Sequence, residues 1–203
     1  MTLDRFRSVA DRVIDPFVSG ADRIGLTPNA ISWLALVLAV GAALSFALAG
    51  ERTLLYAPAA VVVLASGACD VLDGALARHQ GSSSRAGDFL DHVLDRYADL
   101  AIVAGLAVGI GRLDLGFAAI TGVVFTSYLG TQAQAVGLNR AYGGALGRAD
   151  RLALAAVVGL IAATDVSLAG HSPIAWLLVI FALAGHATAI QRFIVAYRDL
   201  REN

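Results

Sequence analysis

Long apolar runs separated by short polar breaks set the first expectation. The runs lie at about 28–49, 55–78, 87–110, 114–137, 150–168 and 173–196. A bilayer's hydrocarbon core is roughly 30 Å thick and takes about 20 apolar helical residues to cross. Each run is therefore predicted to be a transmembrane helix. Residues 1–24 follow another pattern. Phe6, Val9, Val13, Phe17 and Ile24 approximate one face, while Asp4, Arg5, Arg7, Asp11, Arg12, Asp15, Asp22 and Arg23 hold polar positions. That pattern predicts an amphipathic helix lying in the membrane interface, bent or broken at Pro16 and Gly20; a solvated arm is the alternative. The predicted fold is an all-α integral membrane protein with six transmembrane helices and an N-terminal amphipathic interfacial helix. Residues 1–26 form the juxtamembrane segment and residues 27–203 the membrane domain.

Composition agrees. Of 203 residues, 58% are hydrophobic, more than a soluble domain of this size carries. Little chain remains for a separate soluble domain. All 15 cations are Arg. Arg52 and Arg112 fall in the first and third predicted connections, and the fifth has none. The other arginines sit near the termini and the second and fourth connections. The positive-inside rule then places both termini, with residues 70–95, on the cytoplasmic side of the cell membrane. The charged N-terminus does not read as a signal peptide. Cys69 is the only cysteine, which excludes an internal disulfide. No nucleic-acid partner is expected.

Residues 70–95 change the picture from membrane protein to candidate enzyme. Asp70 and Asp73 are three apart, and Gly87, Asp91 and Asp95 recur every four residues, so each set lines one helix face. Gly74 leaves room beside the first pair, and Arg78 follows one turn later. Charged groups in membrane helices are costly and are usually paired and functional. Four clustered carboxylates also repel one another; protonation or a divalent cation relieves this. Oxygen-only donors suit Mg²⁺ or Mn²⁺ first, and Ca²⁺ next. A pair of such ions can hold a diphosphate and stabilise a departing phosphate oxygen, while a neighbouring carboxylate serves as base. The plainer reading is a polar network closing a helix bundle. Four acids at helical spacing with Gly and Arg interleaved favour metal chemistry. Asp88 is expected to face solvent, and Asp99 lies one turn deeper with no role assigned.

Other candidates are less specific. Thr27-Pro28-Asn29 suits a helix start, with Thr as N-cap and Pro in the first turn; the free N–H groups there also suit an anion. Arg148, Arg151 and Arg192 gather on the same predicted side as the acids. They suit either a phosphate or positive-inside anchoring. Thr126, Ser127, Tyr128, Thr131, Gln132 and Gln134 form a polar patch in the fourth predicted helix.

Residues 70–95 read D-x2-D-G-x2-A-R-x8-G-x3-D-x3-D. This resembles the full signature of the CDP-alcohol phosphotransferases, membrane enzymes of phospholipid synthesis, and the helix layout resembles that family too. The resemblance implies that a lipid with a CDP head is attacked by an alcohol hydroxyl and releases CMP. It implies that Asp70, Asp73, Asp91 and Asp95 hold two metal ions, Mg²⁺ or Mn²⁺, with Asp95 also the base. Gly74, Arg78 and Ser84 would line the CDP site, and Thr27, Pro28, Asn29 and Ala30 would close over it. A homodimer is implied as well. Gly147-Arg148-Ala149-Asp150-Arg151 and Gln191-Arg192 are similar to the branch whose acceptor is inositol 1-phosphate, where the matching arginines hold the acceptor phosphate. Where that branch carries Lys, Arg and Glu, this chain has Gly130, Gln132 and Gln134. Glycerol phosphate, or another phosphorylated polyol, therefore stays open as acceptor. Two rival classes are an intramembrane prenyltransferase and a divalent-cation transporter. The first usually shows N-D-x2-D motifs and more helices. The second expects acids near mid-membrane and often an internal repeat, and neither is found here.

Overall fold

The computed structural model describes residues 7–138, 144 and 146–202, with the backbone alone for 7–13. The described residues form seven helices: α1 (Arg7–Arg23), α2 (Pro28–Ala49), α3 (Tyr56–His79), α4 (Arg85–Gly109), α5 (Leu113–Ala135), α6 (Arg148–Ala162) and α7 (Pro173–Glu202), with one 3₁₀ turn at Thr53–Leu55. Among the described residues, four segments are long and apolar enough to cross a bilayer: Pro28–Ala49, Thr53–His79, Leu113–Ala135 and Pro173–Glu202. The outward side chains of these helices include Val37, Leu44, Leu48, Val61, Phe117 and Leu183. An exposed apolar belt of this kind belongs in lipid, and the protein is a multi-pass membrane protein.

Helix starts follow local chemistry. The Thr27 hydroxyl accepts from the Ala30 N–H at 3.3 Å and Pro28 takes the first helical position of α2. The Ser84 hydroxyl accepts from the Gly87 N–H at 3.1 Å and caps α4. Each satisfies one of the orphan donors of a first turn.

Small residues set the packing. A Cβ on Gly105 or Gly109 of α4 would run into the backbone of Ala43 or Phe46 on α2, and Gly185 of α7 faces the backbone of Gly122 on α5. Such close approach is how helices associate where lipid removes the hydrophobic driving force between them. Two buried hydroxyls cross between helices: Ser66 of α3 donates to the Ala35 carbonyl of α2 at 2.8 Å, and Thr126 of α5 lies 2.9 Å from the Gly185 carbonyl of α7. Phe46, Leu106, Phe181 and Leu178 fill the centre.

Two sequence expectations shift. The run at 150–168 yields a helix that ends at Ala162. Thr164 donates to the Ile161 carbonyl at 2.7 Å, and Asp165 and Ala169 adopt left-handed backbone, so polar residues turn the chain before the apolar composition runs out. Helix α1 passes through Pro16 and Gly20 without a break. Both are exposed, and a solvated carbonyl tolerates the hydrogen bond that Pro removes. Its packed face is Ile14, Val18 and Ala21 against Ile31, Leu72 and Leu76, while Phe17 and Ile24 stay exposed. Phe6, Asp4 and Arg5 lie outside the described residues, as do residues 139–143.

Candidate active site

The C-terminal part of α3, the N-terminal half of α4 and the start of α2 meet around a cavity of about 410 Å³. Thr27, Pro28 and Asn29 border it from α2 and its cap, and Asp73, Gly74 and Arg78 from α3. Ser82, Ser83 and Ser84 border it from the connecting loop, and Gly87 and Asp91 from α4. Ala30, grouped with these by the sequence, gives its N–H to the Thr27 cap and does not line the cavity. The Gln80 amide donates to the Asp22 carboxylate at 2.8 Å and to the Leu26 carbonyl at 3.1 Å, tying the α1–α2 connection to the end of α3. Gly74 leaves space for Arg78, whose guanidinium lies 3.5 Å from where a Cβ would stand; Gly87 does the same for Ser84 and Asn29.

The four motif acids divide into two settings. Carboxylate oxygens of Asp70, Asp91 and Asp95 lie within 4.8 Å of one another. Asp73 stands apart from this trio: it is buried, and its Oδ2 accepts from the Ser32 hydroxyl at 2.6 Å. Asp91 belongs to both the trio and the cavity wall. The three carboxylates form the oxygen-rich set that suits a hard divalent cation. The trio adjoins a cavity that offers hydroxyls, backbone N–H groups and a guanidinium, the donors that bind phosphate.

Ion pairs run from the trio to α6, and hydrogen bonds from arginines of α4 and α7 meet on α5. Arg148 of α6 donates to Asp70, reaches Asp95 at 2.5 Å, and brings its Nε to 3.4 Å from Asp99. Arg151 donates to Asp99 at 2.5 Å. Arg96 pairs with Asp95 and Asp99 at 3.8 and 3.6 Å and donates to the Ser127 hydroxyl on α5. Arg192 of α7 donates to the Thr126 carbonyl, also on α5, at 2.6 Å. Asp99, whose side chain is 3% exposed, is thus the carboxylate shared by Arg96, Arg148 and Arg151. Asp88 is exposed, as expected.

Ser32 and Arg96 escaped the sequence reading, and Asp99 was noted there without a role. Ser32 lies one turn beyond Thr27-Pro28-Asn29, so helical spacing alone put it on the cavity face. Arg96 follows Asp95 directly, and Asp99 sits one turn past Asp95. Their proximity to the motif was visible; their mutual pairing was not.

An all-helical membrane protein with a carboxylate trio beside a phosphate-suited cavity defines a class: metal-using membrane enzymes. The comparisons with known proteins narrow it. The family model for CDP-alcohol phosphatidyltransferase matches residues 25–185, and the chain belongs to that family of transferases. The archaetidylinositol phosphate synthase of Methanothermobacter thermautotrophicus is 34% identical over 98% of this chain and 96% of that protein. The phosphatidylinositol phosphate synthase of Cutibacterium acnes is 32% identical over 97% and 98%. Among solved structures, Mycobacterium tuberculosis phosphatidylinositol phosphate synthase with CDP-DAG bound gives a TM-score of 0.78 at 28% identity, covering 92% of this chain and 94% of that one. The same enzyme in complex with manganese and citrate gives 0.76 at 27%, covering 91% and 88%.

Proposed function

We propose that this protein transfers a phosphatidyl or archaetidyl group from a CDP-linked lipid to a hydroxyl of a phosphorylated polyol, with inositol 1-phosphate as the acceptor. The observation that carries this reading is the Asp70–Asp91–Asp95 trio set against the 410 Å³ cavity. The names of the relatives support the acceptor. In the reaction the acceptor oxygen bonds to the β-phosphorus, the bond from that phosphorus to the CMP oxygen breaks, and CMP leaves. Asp95 takes the proton from the attacking hydroxyl. Asp70, Asp73, Asp91 and Asp95 would hold Mg²⁺ or Mn²⁺, which would neutralise the pyrophosphate and the leaving oxygen. Asp73 joins them from the cavity side, held by Ser32. Thr27, Pro28, Asn29, Ala30, Gly74, Arg78 and Ser84 hold the CDP head, and Arg148, Arg151 and Arg192 receive the acceptor's phosphate.

The same reading extends to topology. Six helices, α2 to α7, cross the membrane, and the charged end of the bundle faces the cytoplasm with both termini. The distribution of arginines supports that orientation; Arg112, on the opposite side, is paired with Asp114 at 2.6 Å. Helix α1 lies in the interface, with Phe17 and Ile24 in the headgroup layer. The working unit is a homodimer.

The test is CMP release from a CDP-lipid by the purified protein, with inositol 1-phosphate, glycerol phosphate, serine and inositol as acceptors and with Mg²⁺ or Mn²⁺ present or chelated. Metal-dependent release with inositol 1-phosphate alone is the expected result. Release with glycerol phosphate instead reassigns the acceptor, as the charge-poor stretch at Gly130, Gln132 and Gln134 would allow. No release with any acceptor rejects the reading.

A further inference from the structure

The position of Arg148 carries a consequence for metal binding. Its guanidinium contacts Asp70 and Asp95 together, two of the three acids whose oxygens converge. A divalent cation there would draw on the same two carboxylates, and the guanidinium's positive charge beside it opposes the ion's. Arg148 also has another partner within reach. Its Nε is buried and makes no hydrogen bond among the described residues, yet it lies 3.4 Å from Oδ1 of the buried Asp99. Arg151, three residues on, contacts Asp99 and none of the trio.

We propose that Arg148 is an internal competitor of the catalytic cation: it counters Asp70 and Asp95 until metal enters, then is released to the Asp99 side of the site. This rests on the trio being the metal site, as proposed above. Metal loading and the freeing of Arg148 are then one equilibrium, and a guanidinium becomes available for an acceptor phosphate when the donor side is charged with metal. Before that, the ion pair prevents three acids from facing one another uncompensated at the membrane surface.

The experiment is Mn²⁺ titration of the purified full-length protein, with free Mn²⁺ followed by electron paramagnetic resonance. Arg148→Gln should tighten the apparent Mn²⁺ Kd by about tenfold or more, the scale of an ordinary coupling between sites. Arg151→Gln removes the same charge one turn away and should tighten it by no more than about twofold or threefold, as expected of a charge that acts at a distance. Should Arg148→Gln fold poorly, Arg148→Met keeps much of the side chain's length without the charge, and it should still tighten Mn²⁺ binding relative to Arg151→Met. Equal shifts in the two positions, or weaker binding in the Arg148 variants, overturn the competition. Wild-type protein that binds no divalent cation overturns the metal site itself, and the competition with it.

Discussion

The Ser32 hydroxyl, on α2, donates a 2.6 Å hydrogen bond to Oδ2 of Asp73, on α3, and both side chains are buried. The Pro28 carbonyl also lies 3.2 Å from that hydroxyl, but a hydroxyl has one proton, and the shorter, charge-assisted bond takes it. The bond fixes the carboxylate rotamer at the cavity wall. Ser32→Ala removes the side-chain donor from a buried carboxylate, at a cost of about 1–3 kcal/mol. Where that cost falls on the aligned, metal-competent carboxylate, kcat/KM for the CDP-lipid drops roughly 5–150-fold. Ser32→Thr keeps the hydroxyl and should recover most of the loss. Steady-state CMP release across the three proteins checks this; equal activity in wild type and Ser32→Ala removes Ser32 from the site.

Asp95 tests the chemical step. It sits in the trio, contacts Arg148 and does not line the cavity where the CDP head is placed. Asp95→Asn is nearly isosteric but accepts no proton. Loss of general-base assistance slows turnover by about 10²–10⁴-fold. Binding of the CDP-lipid, followed by calorimetry, should change by less than about tenfold, because Asp73 and Asp91 still border the cavity. Turnover at the wild-type rate would remove the base role from Asp95.

These two residues mark how far the sequence could be read. Asp95 was legible because its spacing from Asp91 and Gly87 is covalent: residues four apart on a helix share a face in any fold. The start of α2 was legible because Thr27-Pro28 marks a cap and a first turn, while α4 starts at Arg85 rather than at 87 because Ser84 caps it. Ser32 was not legible, because its partner is 41 residues away and only the packing of α2 on α3 brings them together. The pairing of Arg96, Arg148 and Arg151 on Asp99 went unread for the same reason: Asp99 continues the spacing of Asp91 and Asp95, but Arg148 and Arg151 come from α6 and only packing brings them to it. The end of α6 was misread because hydropathy averages over Thr164 and Asp165, whose local hydrogen bond and left-handed backbone stop the helix. The division of the acids into a trio and a Ser-held Asp73 depends on side-chain direction, which spacing alone leaves open.

Packing gives an independent prediction. A Cβ on Gly185 would stand 2.7 Å from the Gly122 carbonyl carbon and 2.9 Å from its Cα. Backbone cannot yield as a flexible side chain does. Gly185→Val therefore forces α5 and α7 apart and strains the Thr126 contact to the Gly185 carbonyl. Overpacking of this kind costs about 1–3 kcal/mol. A lower melting temperature in detergent is expected. Gly41→Ala is the control: a Cβ there meets nothing within 4 Å, and the added helix propensity makes it neutral or slightly stabilising. Equal melting of the two variants would mean that α5 and α7 are not held at this crossing.

Arg192 separates the two substrates. It reaches the Thr126 carbonyl on α5, whose neighbour Ser127 receives Arg96, so adjacent residues of α5 hold both arginines. The Thr126 carbonyl orients the guanidinium and contributes no charge of its own. None of the residues bordering the cavity comes from α7, so truncating Arg192 should leave the donor side intact. A hydrogen bond to a charged group contributes about 1.5–3 kcal/mol, or roughly a 10–150-fold change in affinity. Arg192→Ala is therefore expected to raise the acceptor's KM by that factor with the KM for the CDP-lipid unchanged, as two-substrate kinetics of CMP release would show. Arg192→Lys, which keeps a point charge without the planar fork, should fall between the two. A rise confined to the CDP-lipid would move Arg192 to the donor side and leave Arg148 and Arg151 as the acceptor's only cations among the three.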